Sequence, residues 1–94
     1  MIHKSSSSSA PFEKLRVWHD AVAFAVLVYR LTAAWPASER YGLTSQVRRA
    51  CVSVVANLAE GSARLGKRAF HAFCQIAYGS LKEVEALLHV AVAL

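Results

Sequence analysis

Positive charge is the feature of this sequence best suited to chemistry. Arg64, Lys67 and Arg68 fall within the eight-residue stretch GSARLGKR, Gly61 to Arg68. A short glycine-containing turn that opens a helix offers main-chain amides and the positive end of a helix dipole, and both favour phosphate oxygens. Arg48 on the helix before the turn and Lys82 on the helix after it are candidates to extend the patch. The chemistry expected here is electrostatic contact with a nucleic-acid backbone, RNA or DNA. The competing reading is an ordinary solvated turn.

A second set of polar residues is Gln46, Arg49, Ser53, Asn57 and Glu60. They recur at steps of three and four, so they share one face of a helix. Buried polar groups must be paired, and Arg with Glu is a natural solution. The expectation is a structural network completed by Glu83 of the following helix, fixing helix register. The alternative is contact with a ligand or an RNA backbone through the same side chains.

Catalysis finds little to work with. His3, His19, His71 and His89 offer no ligand pair at helical spacing. His71 and His89 share a face but lie eighteen residues apart, roughly 27 Å along a helix and too far to hold one metal. No nucleophile elbow and no glycine-rich phosphate loop is present. Glu60, Glu83 and Glu85 read as solvated or salt-bridged helix carboxylates. The expectation is no enzyme, no catalytic residue, no cofactor and no metal. Cys51 and Cys74 sit at apolar helical positions without a CxxC pairing, and read as small core residues in a reducing compartment.

Three helices must position these groups. Met1 to Ala10 is serine-rich and reads as a disordered tail, leaving residues 11–94 as one helical domain. Helix 1 is expected over about 11–33, opened by Pro11 and closed before Trp35-Pro36. Its main apolar face is Leu15, Trp18, Val22, Ala25, Val26 and Tyr29, with Phe24, Leu27 and Leu31 on the far side. Helix 2 is expected over about 43–62, with Leu43, Val47, Ala50, Cys51, Val54 and Leu58 on one stripe. Helix 3 is expected over about 67–94, with Phe70, Phe73, Ala77, Leu81, Val84, Leu88 and Ala91 facing the core. The short turn makes helices 2 and 3 antiparallel neighbours. The fold class is all-α, an antiparallel up-and-down bundle.

Bulk composition adds an expectation of self-association. The chain is 55% hydrophobic and 18% charged over 94 residues, more apolar surface than a small monomer readily hides. Phe24, Leu27 and Leu31 are candidates for an oligomer interface. Ala72, Gly79 and Ala86 join them, repeating every seven residues along one edge of helix 3, where another helix can approach closely. The net charge of +5 favours acidic partners. The longest apolar run, Ala21 to Tyr29, is too short to cross a bilayer. No signal-peptide core opens the chain, so a soluble cytoplasmic protein with no membrane partner is expected. Leu94 ends an uncapped apolar run, VAVAL, so either a fourth helix is missing or a partner takes its place.

Several blocks together resemble a known family. They are Phe12-Glu13-Lys14-Leu15 with Val17-Trp18, then Tyr29, Thr32, Trp35-Pro36 and Tyr41-Gly42-Leu43-Thr44-Ser45-Gln46. Arg48-Arg49-Ala50, Ser53, Asn57-Leu58-Ala59-Glu60-Gly61 and Arg64 follow. The last comprises Phe70, Phe73 and Ile76-Ala77-Tyr78-Gly79-Ser80-Leu81 with Glu83 and Glu85. The sequence resembles the four helix bundle proteins of bacteria, also called 23S ribosomal RNA intervening-sequence proteins. The resemblance implies an antiparallel four-helix bundle assembled as a ring-like homopentamer. It also implies kinship with accessory proteins of diversity-generating retroelements, basic pentamers that bind nucleic acid and a reverse transcriptase. This chain departs from the pattern after Leu94, where the fourth helix would follow. The functional expectation is a non-enzymatic oligomeric protein that binds nucleic-acid backbone. The alternative is a protein-interaction module docking a partner helix or enzyme through exposed apolar faces.

Overall fold

The structure, a computed structural model, describes residues 10–94. Most of the serine-rich tail, with His3, lies outside the described residues. Three helices follow one another: α1 (Arg16–Thr32), α2 (Leu43–Ser62) and α3 (Lys67–Ala93). Short 3-10 turns at Pro11–Lys14 and Ala37–Glu39 precede α1 and α2. Among the described residues there is no strand, and the class is all-α.

Pro11 does open a helical turn, but of four residues and not of α1. Leu15 is extended (φ −90°, ψ 116°) and restarts the chain, so α1 begins at Arg16. The break lets Pro11–Lys14 fold back against α2. Phe12 then packs on Trp18 at 4.5 Å between ring centroids, and His19 Nε2 donates to the Glu13 carbonyl at 2.8 Å. These contacts favour the break over a continuous helix.

α2 is the middle of the molecule. Its stripe of Val47, Ala50, Cys51, Val54 and Leu58 is buried along its length. Ala25 and Val28 of α1 join Val47, Ala50 and Cys51 in one cluster, while Trp18 and Ala21 pack with Val54 and Leu58 in the other. Ascending α1 therefore descends α2. The same holds for α3: Ser53 meets Ser80, and Gly61 meets Phe73 and Phe70. α1 and α3 each lean on α2 with no Cα–Cα approach within 8 Å of one another. The result measures 43 × 31 × 19 Å, about two helix diameters at its thinnest.

The buried face of α1 is rotated from the one the apolar spacing suggests. Val28 is 2% exposed and Thr32 is buried, whereas Val26 and Tyr29 are 43% and 42% exposed. Apolar residues surround this helix, so periodicity alone has no unique solution. Phe24, expected at an outer interface, is half-buried against the core cluster instead. Leu81, expected in the core, is 40% exposed, because Ser80 takes the inward position facing Ser53.

Both thiols are free. Cys51 is 1% exposed, and burial raises its thiol above the ordinary range. Iodoacetamide at pH 8 is expected to alkylate Cys74 well before Cys51, because only the thiolate reacts. Peptide mass mapping over time checks this, and equal labelling rates would contradict the core placement of Cys51.

Candidate nucleic-acid interface

Two glycines shape the passage from α2 to α3, Gly61 in the last turn of α2 and Gly66 just before α3. Gly61 is buried where α2 and α3 pack closely: a Cβ there would stand 2.7 Å from Phe73 Cβ. Gly66 adopts φ +94°, a left-handed conformation that glycine reaches without steric cost, and swings the chain into α3. Phe70 N–H donates to the Gly66 carbonyl at 3.3 Å and starts the helical ladder.

Three of the five candidate cations meet here. Lys67 and Arg68 are exposed on the first turn of α3, which carries no acidic residue, and neither forms an ion pair among the described residues. Arg64 donates from Nη2 to Glu60 Oε2 at 2.7 Å and lies over the Phe73 ring at 5.3 Å. A shallow cavity of about 370 Å³ opens beside them, walled by Pro11, Leu15, Gly61, Ser62, Gly66 and Phe70 together with Arg64 and Lys67. A helix start without a side-chain cap, two cations without ion pairs among the described residues and a concave floor suit a phosphodiester.

The other two cations lie elsewhere. Arg48 is sixteen residues from Arg64, about 24 Å along α2. Its Nε donates to Thr32 Oγ1 at 2.8 Å and its Nη2 to the Tyr29 carbonyl at 3.1 Å, with the guanidinium over the Tyr29 ring at 4.6 Å. Thr32 passes its own proton to the Val28 carbonyl at 2.8 Å. Arg48 thus clamps the end of α1 to α2 and does not extend the basic turn. Lys82 pairs with Glu85 at 3.5 Å and sits near Tyr78, about 22 Å from Lys67 along α3. A single patch of five does not form, because helix rise separates its members.

The polar stripe of α2 is only partly a network. Asn57 Nδ2 donates to the Ser53 carbonyl at 2.8 Å and to Ser53 Oγ at 3.1 Å, and Ser53 Oγ bonds Ser80 Oγ at 2.8 Å. Gln46 and Arg49 are exposed, Glu60 turns to Arg64, and Glu83 is exposed on α3 without joining Arg49. Ser80 is the cross-helix partner that sequence reasoning missed. Its signal was present: it lies three residues after Ala77 and four before Val84, on the buried stripe.

Of the interface candidates, Leu27 and Leu31 are exposed and so are Ala72, Gly79 and Ala86, with nothing within 4 Å of a Cβ at Gly79. A wider apolar groove of about 460 Å³ runs between α1 and α2, lined by Val22, Val26, Tyr29, Val52 and Val55 with Ala25 and Arg30. Among the described residues no three His, Cys, Asp or Glu side chains gather as a metal site, and no helix is long and apolar enough to cross a membrane.

No curated protein matches this chain. The model of the family described as 23S rRNA-intervening sequence protein matches residues 13–94, a span that takes in all three helices and the basic turn, and the chain belongs to that family.

Proposed function

We propose that the chain is a non-enzymatic cytoplasmic protein that binds nucleic-acid backbone at the Gly61–Arg68 turn. The observation that carries this reading is the pair of unpaired cations, Lys67 and Arg68, at the amide-rich start of α3. Arg64 adds to them at little cost. Its bridge to Glu60 is about half exposed (53%/52%) and holds only weakly against a phosphate. The family description mentions 23S rRNA, which makes RNA the first probe. In a homo-oligomer, a pentamer being the form the resemblance implies, each turn recurs and weak single contacts sum.

Fluorescence anisotropy with labelled single-stranded RNA and duplex DNA, from 50 to 200 mM salt, tests it. Three phosphate contacts per copy predict a log–log slope of about −2 for single strands. Lys67→Ala with Arg68→Ala should flatten that slope and weaken binding. Binding that ignores salt, or survives the double change intact, would sink the reading.

The apolar groove between α1 and α2 favours a second reading, docking of a partner helix or enzyme, or of another copy of the chain. Solution mass measured with and without RNA separates the two: mass that rises only with RNA supports the first. Stable association with another protein and indifference to RNA support the second.

A further inference from the structure

At the far end of α2 from the basic turn, the α1–α2 connection covers a cavity of about 240 Å³. Its walls are Thr32, Ala33, Trp35, Pro36, Ala37, Arg40, Thr44 and Arg48. Two of these eight are arginines and none is acidic. Neither arginine forms an ion pair with a carboxylate among the described residues. Arg48 commits Nε and one Nη2 hydrogen to α1, which leaves the rest of its five N–H donors unassigned. Arg40 stacks loosely on Tyr41 at 5.8 Å.

Thr44 stands in the same wall. It is 6% exposed, and its hydroxyl has no hydrogen-bond partner among the described residues. Buried hydroxyls are normally satisfied, so an orphan in a wall with two arginines that have no carboxylate partner among the described residues fits an anionic acceptor. Threonine in a helix has two χ1 wells available, and the hydroxyl can swing toward the cavity as an acceptor enters. The nearest carboxylate in sequence does not compete. Glu39 caps Leu43 N–H at 3.2 Å and lines a separate cavity with Leu43, Ala91 and Leu94.

We propose that this cavity binds a phosphate group, held by Arg40 and Arg48 with the Thr44 hydroxyl as a third donor. Planar guanidinium forks match the oxygen spacing of phosphate, and the first turn of α2 adds its dipole. Trp35 and Pro36 leave an apolar wall for a small organic substituent. The site is separate from the basic turn and stands or falls without it.

The test is a two-dimensional amide and Arg Nε NMR titration of the full chain with inorganic phosphate, against sodium chloride at matched ionic strength. Saturable shifts at Thr44 and Arg48 are expected with phosphate and not with chloride. Arg40→Gln and Thr44→Val, which spare the clamp between α1 and α2, should each weaken binding about five- to tenfold. Parallel titrations with phenyl phosphate and with a dinucleoside monophosphate show whether a monoester or a diester is preferred, and either preference keeps the site. Shifts reproduced by chloride, shifts confined to residues 61–70, or unchanged affinity in both variants would overturn it.

Discussion

Gly61→Val is expected to cost about 3 kcal/mol or more, a large part of what a small domain has to lose. The added Cβ would meet Phe73 Cβ at 2.7 Å and Phe70 Cδ1 at 3.3 Å. Phe73 Cβ is anchored to the backbone, so no rotamer change relieves the contact and α3 itself must move. Gly61→Ala is milder. It gains about 1 kcal/mol of helix propensity but loses more to the clash, for a net cost of about 1 kcal/mol. Gly79 supplies the opposite sign within the same protein. A Cβ there meets nothing within 4 Å, so Gly79→Ala should stabilise by about 1 kcal/mol and raise Tm by about 4–8 °C. Urea and thermal melts check all three. A neutral Gly61→Val would contradict the close approach of α2 and α3. A destabilising Gly79→Ala would mean that a second copy covers that edge of α3.

Arg48→Met is the second large effect, about 2–3 kcal/mol destabilising. Methionine keeps the length and the apolar stem but removes two charge-assisted hydrogen bonds and the contact with the Tyr29 ring. The Tyr29 carbonyl keeps the Ala33 N–H at 3.1 Å but loses the charged donor that ties it to α2. Arg48→Lys should recover less than half of the loss, because a single ammonium cannot reproduce the fork that spans Thr32 Oγ1 and Tyr29. Chemical denaturation gives the numbers. Arg48→Met melting like the parent protein would show that the clamp contributes nothing.

What the sequence discloses here depends on how one-sided each helix is. α2 carries a clear apolar stripe, so Val47, Ala50, Cys51, Val54 and Leu58 can be read as buried from spacing alone, whereas the burial of Thr44 and Gly61 cannot. α1 is apolar nearly all round. Only the clamp and the packing against α2 show that Val28 and Thr32 face inward while Val26 and Tyr29 do not. The basic turn is legible because Arg64, Lys67 and Arg68 are neighbours in the chain. The roles of Arg48 and Ser80 are not, because their partners, Thr32 and Ser53, are brought by the register between helices. The same limit hid the orphan hydroxyl of Thr44, which exists only because the connection folds over it.

α1 rests on α2 and on the turn that leads into it; it shares a buried cluster with Val84 of α3, but no Cα of the two helices comes within 8 Å. The energetic consequence is a molecule with two cooperative units. The α2–α3 hairpin joins residues close in sequence through a short turn, so it closes early and with little loop entropy. α1 docks onto that finished surface and can leave it again without separating α2 from α3. Amide hydrogens of α1 should therefore exchange through partial opening at a lower free energy than those of α2 and α3.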